Sequence, residues 1–217
     1  MTDHVKPFAR EYPRRRERAR ATRARVLDAA RELFIERGYG ATTIDAIAAR
    51  ADVSPETIYA TFGNKRAVLS ELVDVSVAGG VGAAAVLEQD WVHELRDEPD
   101  LHRRIRILAT NGRAILARRA AVDEIVRGAA SSDPEIAALR DRGKTQRYAG
   151  QRELLALVAG TAGLRPGLTL GVAADVLYAI GSPETYGLLV VERGWSGTRF
   201  ERWYAETIER LLFAPWP

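Results

Sequence analysis

Two short stretches of helical period, residues 43–51 and 55–62, are separated by only three residues, Asp52, Val53 and Ser54. A connection that short forces two helices to cross steeply, and it leaves few folds open to the chain around it. Small side chains are needed where the helices cross, and Ala48 and Ala51 supply them, with Val53 placed to fill the gap. The second helix is then left with Pro55, Glu56, Thr57, Tyr59, Ala60 and Thr61 on or near its outer surface. This is the spacing of a helix-turn-helix, whose second helix can enter a major groove. An ordinary antiparallel helix pair in a bundle has similar punctuation, so the reading depends on what surrounds the motif.

Caps and breakers extend the pattern in both directions. Val26, Leu27, Ala30, Leu33 and Phe34 share one face of a helix over residues 22–37, which Gly38 stops, with Tyr39 and Gly40 in the turn. Thr43 is an N-cap, Ser54 caps the next helix with Pro55 at its first position, and Asn64 caps a fourth beginning at Lys65. That fourth helix is expected to run towards Leu87 with a kink at Gly79, Gly80 and Gly82, each costing about 1 kcal/mol relative to alanine. Beyond it, one helix carries Leu101, Ile105, Leu108 and Ile115, and a short one Val122, Ile125 and Val126. Ser132-Asp133-Pro134-Glu135 starts a helix through Ile136, Leu139, Leu154 and Val158, followed by a loop over residues 160–167. Another runs over residues 168–180, breaks at Ser182-Pro183 and continues to Arg193. Gly194 ends it, and Ser196 caps a last helix bearing Phe200, Trp203, Tyr204, Ile208, Leu211 and Leu212. No strand alternation persists, so the class is all-α with roughly nine or ten helices. The expected organisation is a basic flexible arm (1–20), a helix-turn-helix domain (21–66) and a larger helical body (67–217).

Charge is distributed unevenly along this frame. Residues 1–25 hold nine basic side chains against Asp3, Glu11 and Glu17, a balance of +6, while the whole chain is +3 and the remainder therefore −3. Arg14, Arg15, Arg16 and Arg18 are the densest part of that run. Beside a helix-turn-helix it points to a polyanionic partner; alone, it reads equally as a solvated tail. The chain has no cysteine, which removes disulfides, thiolate catalysis and Cys-based metal sites. The longest uncharged apolar stretch, residues 75–87, is too short to span a bilayer, and the N-terminal basic run meets no apolar segment of a signal peptide. A cytoplasmic protein is expected.

Residues 25–69 carry a closer likeness. Val26-Leu27-Asp28-Ala29-Ala30, Leu33-Phe34-Ile35-Glu36-Arg37-Gly38-Tyr39, Thr42-Thr43-Ile44-Asp45-Ala46-Ile47-Ala48, Val53-Ser54-Pro55-Glu56-Thr57-Ile58-Tyr59 and Phe62-Gly63-Asn64-Lys65 resemble, in type and spacing, the DNA-binding domain of the TetR (tetracycline repressor) family. The resemblance implies that Thr43 meets a phosphate, that Tyr59 touches the DNA backbone, and that Lys65 contacts a phosphate. It implies too that Pro55, Glu56, Thr57 and Ala60 form the reading face. Proline and alanine offer apolar contacts, with thymine methyls as partners. Glu56 either accepts from a cytosine amino group or caps its own helix. Asp52 departs from the glycine usual at the turn, a position that tends to need a left-handed backbone, which Asp tolerates better than most residues. Arg14 to Arg25 resemble arms that in some members enter the minor groove and in others only neutralise phosphates.

For the body, the resemblance rests on layout. It implies a homodimer built from the last two long helices, with Tyr186, Leu189, Phe200, Trp203, Tyr204 and Ile208 at the interface; Tyr186, Trp203 and Tyr204 could equally be intramolecular core. It also implies a repressor released from double-stranded operator DNA by a small-molecule effector bound within residues 75–180. Candidate lining residues are Trp91, His102, Asn111, Arg113, Gln146 and Tyr148. The glycines at 79, 80 and 82 are candidate points of compliance between the domains. No cofactor is expected. No metal site is expected either, since His93 and His102 have no third ligand at a suitable spacing. Neither a Ser-His-Asp spacing, a Gly-rich phosphate loop nor HExxH appears, which argues against an enzyme. The rival within binding proteins is an architectural DNA binder with no effector.

Overall fold

A computed structural model describes residues 11–213 apart from residue 161, with side chains from residue 15 onward. The described residues form helices joined by turns and loops, and no strand. Helix α1 (Glu11–Ala41) starts eleven residues before the expected Thr22. The expected arm over residues 1–20 is therefore corrected for its second half; residues 1–10 lie outside the described part. Arg, Ala and Glu are strong helix formers, and nothing in the run over residues 14–25 breaks a helix. Gly38 does interrupt α1, with φ 78° and ψ 161°, as expected. The chain then turns through buried Thr42, whose hydroxyl donates to the carbonyls of Leu33 and Gly38.

Helices α2 (Ile44–Ala51) and α3 (Pro55–Phe62) meet the expected bounds to within one residue. Asp52 has φ 53° and ψ 55°, and its N–H caps α2 through the carbonyl of Ala48. Among the described residues it is the only non-glycine with positive φ. A left-handed L-residue costs about 1–2 kcal/mol, and glycine's extra unfolded-state freedom offsets about half of that. Asp52→Gly should therefore raise the melting temperature by a few degrees, whereas Asp52→Val should lower it by a similar amount; a calorimetric scan of both variants checks the sign.

Helix α4 (Lys65–Ala78) is shorter than expected. Gly79, at φ 97°, is its left-handed C-cap and not a kink inside a continuing helix. Gly80 and Gly82 lie in the following turn, so the glycines end the inter-domain helix and cannot act as compliance points within it. A 3-10 turn (Val86–Glu88) leads to α5 (Asp90–Asp97), a helix absent from the sequence reading. The two helices expected over residues 101–126 are one, α6 (Leu101–Ala130), because Ala117 to Ala121 contain no breaker. Helix α7 (Pro134–Ala159) begins at the expected cap, with the Asp133 carboxylate accepting from the N–H groups of Glu135 and Ile136. Helix α8 (Leu170–Ile180) is followed by α9 (Pro183–Tyr186), which widens into a π-type turn (Gly187–Glu192). Helix α10 (Gly197–Ile208), capped by Ser196 as expected, ends likewise over Glu209–Phe213.

Two apolar cores result, and they do not divide at residue 66. The first joins α1, α2, α3 and α4 to the far half of α6, through Val122, Ile125, Val126 and Ala129, and to Ile136 of α7. The second lies wholly in the body, around Leu95, Ile105, Leu155, Leu177 and Phe200. Helix α4 is held to the body at both ends. Arg66 pairs with Asp133 at 3.4 Å and with Glu135. At the other end Arg118 donates to the carbonyls of Ser76 and Val77, and Gln89 donates to that of Ala78. A cation on the last carbonyls of a helix opposes the negative end of its dipole, so Arg118 supports the end that Gly79 caps.

Candidate nucleic-acid interface

Each end of the α2–α3 pair is built from local hydrogen bonds. The Thr43 hydroxyl accepts from the N–H of Ala46 at 3.1 Å, and the Ser54 hydroxyl accepts from that of Thr57 at 3.3 Å. Ile47 and Ile58 are fully buried between the helices, which turns the opposite face of α3 outward. Tyr59 is 54% exposed, and its ring is one of the few large apolar groups left in solvent. Ala60, Glu56 and Thr43 are exposed, while Pro55 and Thr57 are half-buried beside them. The Glu56 carboxylate accepts from its own backbone N–H and from the Ser54 hydroxyl, which holds it below the usual carboxylate range. Of its two readings, the helix cap is the one this geometry favours.

Lys65 is half-buried at the start of α4. Its ammonium donates to the carbonyls of Tyr39 at 2.8 Å and Thr42 at 2.6 Å, and sits 4.3 Å from the Tyr39 ring centroid. Burial lowers its pKa. The side chain ties the start of α4 to the turn before α2. Hydrogen bonds from charged groups contribute about 1.5–3 kcal/mol each. Lys65→Met should thus lower the urea midpoint of unfolding clearly, a result that equilibrium denaturation reads directly.

Arg15, Arg16 and Arg18 are exposed on the first turns of α1; the Arg14 side chain lies outside the described part. Arg23 does not join them. It pairs with Glu71 and lies 4.8 Å over the Phe62 ring, bracing α1 against α3 and α4.

The ligand candidates do not converge. Trp91 donates to Gln89, Asn111 to the Ile107 carbonyl in its own helix, and Arg113 to Glu201. His102 faces Glu209 at 3.3 Å and is exposed, Gln146 is exposed, and Tyr148 packs edge-on against Tyr178. None of the six lines the cleft of about 660 Å³ between α6, α7 and α9, or a second of about 620 Å³ between α4 and α7. The interface candidates need a similar correction. Tyr186, Phe200, Tyr204 and Ile208 are buried inside one chain, with the Phe200 ring 4.9 Å from Tyr186 and 5.8 Å from Tyr204. Leu189 and Trp203 are partly buried. The exposed apolar side chains on this side are Leu188 at 54% and Val191 at 71%.

Two short helices joined by a three-residue turn, the second with an outward polar and aromatic face, on an all-helical body, define a helix-turn-helix protein. Residues 26–72 match the model of the family described as bacterial regulatory proteins, tetR family. Over those residues the chain carries the DNA-binding region of that family. One relative is the uncharacterized HTH-type transcriptional regulator YvkB of Bacillus subtilis, 44% identical over 54 residues. That stretch is 25% of this chain and 29% of YvkB, so the sequence likeness spans less than a third of the relative. Among solved structures, the regulator FadR from Bacillus subtilis in complex with stearoyl-CoA superposes with a TM-score of 0.67 at 18% identity, covering 85% of this chain and 96% of FadR. A regulator from Saccharomonospora viridis in complex with choline gives 0.66 at 22% identity, covering 89% and 98%. At such identities the likeness is one of fold.

Proposed function

We propose that the chain is a transcription regulator that binds double-stranded operator DNA as a homodimer, acts as a repressor in the cytoplasm, and is released by a small molecule. The observation that carries this reading is the outward face of α3, with Tyr59 exposed while Ile47 and Ile58 are fully buried. The N-terminus of α2, capped by exposed Thr43, favours a phosphate. Tyr59 and the hydroxyls of Thr57 and Thr43 add neutral contacts, and Arg15, Arg16 and Arg18 add charge at the end of α1. One recognition helix reads few base pairs, and two of them related by a twofold axis read half-sites about one DNA turn apart. Residues 21–66 serve as the reading domain and the rest of the body as its ligand-binding and dimerising part.

Release follows from the way α4 is fixed. Its start positions α2 and α3 through Lys65, and both of its ends are tied to α6 and α7. A ligand that prefers a second arrangement of those helices shifts α4 and moves the two recognition helices off their half-sites. Couplings of about 1–3 kcal/mol are typical of such two-state systems. FadR with stearoyl-CoA and the Saccharomonospora viridis regulator with choline support a ligand-responsive body on this fold. Selection of binding sites from a random duplex library tests the reading. An inverted repeat with half-site centres about one turn apart is the expected outcome; recovery of no consensus would favour the architectural rival.

A further inference from the structure

The cleft between α6, α7 and α9 has a divided chemistry. Its floor is apolar, formed by Val73 of α4, Val126 of α6 and Leu139 of α7. Along one wall, α7 presents Arg140, Lys144 and Arg147, at i, i+4 and i+7, which stack on one helical face. Four acidic side chains also line the cleft. Asp123 is bound by Arg119, Glu124 by Arg127, and Glu184 also faces Arg127, which leaves Glu192 at the rim. Arg147 lies 3.8 Å over the Tyr178 ring and donates to the Tyr178 carbonyl. Arg140 and Lys144 have no partner among the described residues. Gly143 sits between them, and a Cβ there would meet open space.

The geometry points to an amphipathic anion as the effector: a carboxylate or phosphate head on Arg140 and Lys144, with an apolar chain laid along Val73, Val126 and Leu139. This rests on the ligand-responsive reading above and names its site and ligand class. The volume of about 660 Å³ suits a small amphiphile. Because Val73 belongs to α4, an occupant touches the helix that sets the recognition helices. A second copy seated on Leu188 and Val191 would close the outer rim.

The test is calorimetric titration of the full chain, below micelle-forming concentrations, with decanoate, decyl phosphate, decanol and decyltrimethylammonium. Saturable binding of one or both anions is expected, with the two arms separating a carboxylate from a phosphate head. Decanol and the cation should bind at least about tenfold more weakly, as should the anion in Arg140→Gln/Lys144→Gln, the scale of one lost charge-assisted hydrogen bond. Gly143→Leu, which favours the helix and fills the cleft, should weaken the anion similarly. Equal binding of the cation, binding unchanged in both variants, or no anion binding would overturn the assignment. DNA binding is read separately on the free protein, so loss of the regulator reading would show there and not in the titration.

Discussion

Phe200→Ala should lower the stability of the protein by about 3–5 kcal/mol, the range for removing a buried phenylalanine ring and leaving its cavity. Phe200 is fully buried, wedged between Tyr186, Trp203 and Tyr204 at centroid separations of 4.9, 5.4 and 5.8 Å. None of these contacts needs a second chain. The loss should therefore be the same at low and high protein concentration, whereas an interface residue would show a loss that shrinks as dilution dissociates the parent. For a chain of this length it corresponds to a fall in melting temperature of roughly 6–20 °C. Scanning calorimetry across a concentration series distinguishes the two roles. A concentration-dependent loss would return Phe200 to the dimer face.

Leu188→Glu/Val191→Glu should have the largest effect on function while leaving the protomer folded. Both side chains are already mostly in solvent, so charge there costs the isolated chain little. Charges of like sign facing each other across a twofold axis would oppose association. A monomer then binds each half-site alone, and loss of the second, tethered contact should weaken operator binding about 10²–10⁴-fold. Sedimentation should give twice the protomer mass for the parent and the protomer mass for the variant. A variant that stays dimeric with unchanged affinity would place the interface elsewhere.

The interface and ligand candidates share a physical difficulty. On α10 the stripe Phe200, Tyr204 and Ile208, at i, i+4 and i+8, is flanked by Trp203 and Leu211. Periodicity shows that such a helix buries a face; it does not say whether the face meets its own chain or a copy. The ligand candidates meet the same difficulty, because a cleft between α6, α7 and α9 depends on how three helices distant in sequence pack. Features fixed within a few residues were legible. Asp52 adopts the left-handed backbone its turn requires, Ser54 caps α3, α7 starts within the expected Ser132–Glu135 stretch, and Gly38 breaks α1. Lys65 lay between these cases. Its position at the start of α4 was readable, but the carbonyls of Tyr39 and Thr42 that bind its ammonium come from a turn more than twenty residues away. Helix α5 was missed because charged residues surround its only two buried side chains, Val92 and Leu95. The arginine-rich segment read as an arm because charge density masks strong helix propensity.

The central claim, that the face of α3 reads DNA, is tested most directly by equilibrium binding of the parent and Tyr59→Ala to a selected inverted repeat, over a salt series. Tyr59 is exposed, so its removal should leave folding intact. The parent should bind the repeat far more tightly than a scrambled duplex, with log affinity falling by about 0.9 per contacted phosphate for each tenfold rise in salt. Tyr59→Ala should bind clearly more weakly, with the salt slope nearly preserved because a phenol carries no charge. Equal affinity for repeat and scrambled duplex, unaffected by Tyr59→Ala, would contradict the account and leave the arginines of α1 as the contact.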